Sequence, residues 1–164
     1  YIDKKVEKSL LDEMLSAANL APSWKNSQTP RFYVATGEKS KNAVREALPE
    51  FNRKNSENAS AYIVTTVVLN RSGFDKDGTA VTEIGNGWGY YDLGLNNMAL
   101  LLKATELGIS TLVMGIRDGE KLRKEFDIPE TEAVVSVIAV GYTDSEIVRP
   151  KRKSVEDFAK FYEE

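Results

Sequence analysis

The chain has 164 residues, 41% hydrophobic and 29% charged, with a net charge of −3. This is an ordinary globular composition for one domain, and it gives neither nucleic acid nor an acidic membrane an electrostatic hold. Cysteine and histidine are both absent, which excludes thiol nucleophiles, disulfides, Cys/His zinc sites and Ser-His-Asp triads and leaves carboxylates, Lys, Tyr or a cofactor to carry any chemistry.

Taken in chain order, Ser9 with Asp12 offers a helix start, and Leu10, Leu11, Met14, Leu15 and Ala18 form its apolar face. A polar stretch follows from Ala21 to Pro30. Pro22 and Pro30 fix their own φ and push their predecessors out of helical geometry. Between them Ser23, Asn26 and Gln28 supply uncharged donors and acceptors. Such a stretch is either a polar turn or a reader of the edge of a flat heterocycle. Residues 32–36 read as a strand, 39–48 as a polar helix stopped near Pro49, and 50–60 as a polar connector.

Residues 61–70 are β-branched and almost continuously apolar, the pattern of a central strand covered on both faces. Residues 71–89 hold no convincing long element, and a loop of that length in a compact domain is functional or mobile. Its Gly85-Asn86-Gly87-Trp88-Gly89 lacks the spacing of a dinucleotide fingerprint and reads as a flexible loop near the site mouth. Residues 92–107 predict the strongest helix, apolar nearly all round and therefore buried between layers or at a subunit interface, with Gly108 as its C-cap.

Residues 110–114 read as a strand broken by Gly115, 118–126 as an amphipathic helix, and 134–142 as a second buried strand. Glu130, Glu132, Asp144 and Glu146 read as loop charges with no sign of pairing for acid–base work. The basic tail Arg149-Pro150-Lys151-Arg152-Lys153 precedes a short last helix at 155–161. It is a solvated surface tail or, given a phosphate, a set of charge-assisted donors. No run approaches the roughly 18–20 apolar residues that cross a bilayer, and no signal peptide is visible, so the expected location is cytoplasmic. Four such strands make one sheet with helices on its faces.

Ala21, Pro22, Ser23, Asn26, Gln28, Arg31 and Phe32 stand in the register of a signature that follows the first helix in the nitroreductase family of flavin enzymes, and this stretch resembles it. Proline at position 30 replaces the family's aromatic residue. The helix–Gly108–strand–Gly115 unit and the basic tail are similar to the family's as well. The resemblance implies a single FMN-binding domain over 1–164. Its fold is α+β, with a central mixed, mostly antiparallel sheet of four to five strands flanked by helices. It implies a homodimer with flavin at the interface, and an Arg-rich segment immediately upstream of Tyr1 that completes the phosphate site.

The same resemblance assigns Pro22, Ser23, Trp24, Asn26 and Gln28 to the flavin ring and ribityl chain, and Asn52 to the pyrimidine end of the ring. It puts Met114 and Gly115 beside flavin N5, and Lys151 and Arg152 on the phosphate, with Lys153 as the register alternative. No side chain is expected to be catalytic, because flavin N5 does the chemistry, and no metal is expected. NADH or NADPH is the implied donor and a small nitroaromatic, quinone or similar flat molecule the implied acceptor. The other expectation is a flavin-binding carrier or sensor without turnover.

Overall fold

The computed structural model describes residues 1–146 and 148–163. Its elements run α1 (Lys8–Asn19), β1 (Pro30–Ala35), α2 (Glu38–Glu46), α3 (Glu50–Asn55), β2 (Ala61–Val68), α4 (Gly87–Glu106), β3 (Ser110–Met114), α5 (Gly119–Glu125) and β4 (Glu132–Gly141). The four strands form one sheet in the order β1-β2-β4-β3. Every pairing is antiparallel, so the sheet is not mixed.

Alternation along β2 explains its unbroken apolar sequence. Ala61 and Ile63 point to one face and Tyr62 and Val64 to the other, as the two-residue period of a strand requires, and helices cover both faces. On the first face α1 and α4 bury Leu11, Met14, Ala18, Leu100 and Ala104 against Ala61, Ile63, Ile138 and Val140. On the second, Val44, Ala47, Leu48, Leu122 and Ile128 pack against Tyr62, Val64, Val137 and Ala139. The sheet is therefore the middle layer of three, with α1 and α4 on one side and α2, α3 and α5 on the other. A register shift opposite Thr65 and Thr66 leaves Val135 as an extra residue on β4, a bulge in that strand.

Several expected boundaries move. The first helix begins at Lys8 behind Glu7, without a side-chain cap, so Ser9 is not its cap. The polar connector after Pro49 contains α3, whose Glu50 at the first turn and Arg53 and Lys54 at the last suit the helix dipole. The strong helix starts at Gly87 instead of Asp92. Gly87, Trp88 and Gly89 are thus its first turn and not a flexible loop. It is apolar all round but not buried all round: Leu93, Leu100 and Ala104 face inward, while Tyr91, Met98 and Leu102 are exposed. The last helix shrinks to a single 3-10 turn, Val155–Asp157.

Glu132 is not a loop charge. It opens β4, is buried, and accepts from the Tyr33 hydroxyl at 2.9 Å and the Thr66 hydroxyl at 2.5 Å. Burial first, then the hydrogen bond to Glu132, pushes the Tyr33 pKa up to about 12.

Candidate functional site

The polar stretch between α1 and β1 is a short, heavily braced loop. Its 3-10 turn, Trp24–Asn26, closes through Asn26 N–H to Ser23 O at 3.0 Å and Ser27 N–H to Trp24 O at 2.8 Å. The Ser23 hydroxyl oxygen accepts from Gln28 N–H at 3.0 Å. Lys25, Asn26 and Gln28 have φ of 44°, 56° and 49°. Asparagine tolerates this left-handed region, whereas Lys and Gln carry strain there.

The braces come from two residues far along the chain. The Asp92 carboxylate in α4 accepts from Trp24 N–H at 3.1 Å through each oxygen. Ser72 lies 2.5 Å from Asp92, 2.6 Å from the Ser27 hydroxyl and 3.1 Å from the Thr29 hydroxyl. The Trp24 ring packs on Trp88 with centroids 4.7 Å apart, and Trp88 donates its ring N–H to Thr82 at 2.8 Å. The Trp24 ring N–H is buried without a partner among the described residues. These braces leave the side-chain amides of Asn26 and Gln28 without protein partners among the described residues. A cleft of about 330 Å³ borders the loop at Asn19, Ser23, Gln28, Arg31, Phe32 and Asn96.

A second cluster forms at the end of β3. Asn52 in α3 is buried and donates to Ile116 O at 2.9 Å. Arg117 donates to Gly115 O at 3.2 Å and also to Val134 O. Both carbonyls are thereby occupied, and a side chain added at Gly115 would meet nothing within 4 Å. Phe51 and Ile116 flank Asn52 as exposed apolar side chains. The Met114 side chain is in the core, so only its backbone is near Gly115.

Lys151 and Arg152 lie in an exposed tail, as does Lys153. Arg152 donates to Pro150 O at 3.4 Å, and neither Lys151 nor Arg152 has a carboxylate partner among the described residues.

The candidates therefore fall into three places. Pro22, Ser23, Trp24, Asn26 and Gln28 come together on the α1/α4 side at β1. Asn52 and Gly115 meet on the opposite side, at β3. With β1 and β3 at the two edges of the sheet, three strand spacings separate them, about 14 Å. The 330 Å³ cleft reaches neither Asn52 nor Gly115. The described residues hold no cluster of acidic side chains able to bind a metal ion, and no described helix is long and apolar enough to cross a membrane.

The model of the Nitroreductase family matches residues 1–142. The chain belongs to the nitroreductase family. It is 27% identical over 153 residues to a protein of Archaeoglobus fulgidus provisionally named an NADH dehydrogenase/NAD(P)H nitroreductase, covering 89% of this chain and 79% of that one. A nitroreductase family protein of Streptococcus pneumoniae shares the fold, with a TM-score of 0.83 at 21% identity over 99% of this chain and 93% of that one. An FMN-dependent nitroreductase of Clostridium difficile matches with a TM-score of 0.71 at 26% identity over 96% and 87%. An oxidoreductase role follows for this nitroreductase family member.

Asp92 and Ser72, which brace the loop, were not legible as site residues. Asp92 looks like the polar start of an apolar helix and Ser72 like any loop serine. The one available signal was a lone carboxylate heading the most apolar helix of the chain.

Proposed function

We propose that this chain is one FMN-binding domain and an FMN-dependent NAD(P)H oxidoreductase, acting as a homodimer on nitroaromatics, quinones or similar flat acceptors. The observation that carries the reading is the loop of residues 22–28. It is fixed by Asp92 and Ser72 yet leaves the amides of Asn26 and Gln28 without protein partners among the described residues. A heterocycle edge with alternating donors and acceptors is what such uncharged groups match.

The residues present fit FMN. The Ser23 hydroxyl keeps its proton for a ligand acceptor, since its oxygen already accepts from Gln28 N–H. Asn26 and Gln28 address the ring edge and ribityl chain, and Trp24 supplies an apolar flank. Gly115 leaves open space in which backbone approaches a ligand closely. Asn52 holds the Ile116 carbonyl in place beside it. Lys151 and Arg152 are cations without carboxylate partners among the described residues, suited to a phosphate.

FMN bound there would supply the two-electron chemistry, at N5, that links NAD(P)H oxidation to reduction of a second substrate in ping-pong order. The chain itself positions, orients and stabilises negative charge at the ring edge with its donors. No histidine or cysteine is needed for that. The split of the candidate groups across the sheet supports a dimer, because a second copy would bring the β3 cluster of one chain to the loop of the other.

The test is the visible absorption spectrum of the protein as isolated, followed by NAD(P)H oxidation with a quinone. A yellow protein that turns over supports the reading. A yellow protein without turnover supports a flavin carrier or sensor instead. A colourless protein that neither binds added FMN nor shows a thermal shift with it overturns both.

A further inference from the structure

We propose that Asp92 is the positioning residue of this site, acting through the Trp24 amide and through Ser72 to hold the loop in its binding conformation. For the identity of the ligand this rests on the functional reading above; for the loop it stands on geometry alone. Asp92 is buried, and Ser72 is buried beside it. A carboxylate only accepts, so the single Ser72 proton goes to Asp92 at 2.5 Å. Having spent that proton, Ser72 accepts from both Ser27 at 2.6 Å and Thr29 at 3.1 Å. The direction of three hydroxyl hydrogen bonds is thus set from one end.

The anchors fall between the strained residues. Lys25 and Asn26 lie between the anchored Trp24 and Ser27, and Gln28 lies between the anchored Ser27 and Thr29. All three residues that Asp92 and Ser72 do not hold directly have positive φ. Backbone strain of this kind persists only where the surroundings over-determine it, and here Asp92 and Ser72 supply that constraint. The same strained residues carry the amides offered to the ligand. Gly89 makes the arrangement possible, because a Cβ there would come within 2.9 Å of Val67 and hold α4, with Asp92 one turn on, away from the loop.

The hub also joins two segments. Ser72 belongs to the connection between β2 and α4, which meets the loop again through the Lys25–Asp75 ion pair at 3.3 Å, while the first turn of α4 meets it through the Trp24–Trp88 ring contact. The connection and the ring-facing loop therefore share one anchor. A ligand that ordered one would order the other.

Two readouts test the proposal in the full chain. Trypsin cleavage after the exposed Lys25 reports loop order without any ligand. FMN binding, read by quenching of flavin fluorescence and by visible circular dichroism, reports the presented geometry. Thr29→Val removes one hydroxyl with little change of shape, Thr29→Ser retains it, and Ser72→Ala removes the hub. Ser72→Ala and Thr29→Val are expected to speed Lys25 cleavage and weaken FMN binding by about tenfold each, the effect of a lost buried hydrogen bond.

Their thermal midpoints should fall by only a few degrees, roughly the loss expected for one such bond, and Thr29→Ser should behave like the parent. Asp92→Asn should exceed Ser72→Ala, because its amide nitrogen must confront either the Trp24 N–H or the Ser72 hydroxyl. Unchanged cleavage and affinity in Ser72→Ala and Thr29→Val overturn the proposal, as does a Thr29→Ser change equal to that of Thr29→Val. If the parent itself binds no FMN, the functional reading fails, and the Lys25 cleavage series alone decides the positioning role.

Discussion

Asn52 donates its side-chain amide to the Ile116 carbonyl at 2.9 Å, tying α3 to the segment that follows β3. The bond fixes the backbone just past Gly115 from the far side of the sheet. Asn52→Ala should cost about 1 kcal/mol in urea unfolding, the usual net loss of one hydrogen bond. Asn52→Asp should cost more, because a carboxylate has no proton to give and turns its charge on the carbonyl. Equal stability of Asp and Ala at this position would show that the bond is not formed.

Gly89 stands where α4 comes closest to β2. A Cβ there would lie 2.9 Å from a methyl of buried Val67 and 3.9 Å from Thr29. Alanine gains about 1 kcal/mol of helix propensity, but overpacking a closed contact costs about 1–3 kcal/mol. Gly89→Ala is therefore expected to be net destabilising in chemical denaturation, and to weaken FMN binding, since Asp92 and Thr29 move with the contact. A stabilised variant would mean that α4 recoils freely.

The layered fold was largely legible because its causes are local. Residues 61–68 are apolar on both faces, and Gly108 ends the helix before β3. Glu132 was misread because a carboxylate close after Pro129 looks like a turn, and only the pairing of β4 with β2, and of β2 with β1, brings Thr66 and Tyr33 to it. The early start of α4 was hidden by Gly87 and Gly89, poor helix formers required there by close contacts, with neighbouring Ile84 at Gly87 and with Val67 of β2 at Gly89. At the site, the loop could be read from its own residues. Its braces could not, since Ser27 and Ser72 are 45 positions apart and Trp24 and Asp92 are 68 apart.

Tyr33 predicts an alkaline limit. Its pKa rises from 10.0 to about 12, through burial and its bond to Glu132. The fold prefers the neutral phenol, so this contribution to stability is complete below pH 10 and is lost as pH climbs through 12. Tyr33→Phe cannot ionise there. The stability advantage of the parent over Tyr33→Phe should shrink between pH 10 and 12 in urea midpoints taken across that range. Tyr1, also pushed up by burial, acts alike in both proteins and cancels. A constant difference across the window would remove Tyr33 as its source.

Lys151 and Arg152 are distinguished from ordinary surface cations by what they should discriminate. If they meet the FMN phosphate, Lys151→Ala and Arg152→Ala each cost about 1.5–3 kcal/mol of FMN affinity, the range for hydrogen bonds to charged groups. Riboflavin, which lacks the phosphate, should bind parent and variants alike. Equal losses for the two flavins would assign these residues to folding or assembly instead.

The outward face of α4 should hold two copies together. Tyr91, Met98 and Leu102 are exposed by 60%, 52% and 58% and recur at helical spacing, making an apolar stripe on a helix whose other face is already buried. Met98→Glu with Leu102→Glu keeps helix propensity nearly constant, so the single chain should fold as before by far-ultraviolet circular dichroism. Two charges per copy placed at a symmetric contact should convert the dimer to monomer in sedimentation equilibrium. Flavin affinity should fall with it, because the loop at β1 and the Asn52–Gly115 cluster at β3 lie on opposite faces of one sheet, at strands about 14 Å apart. Loss of the dimer with FMN affinity intact would show that one chain suffices for the ligand. A variant still dimeric would place the interface elsewhere.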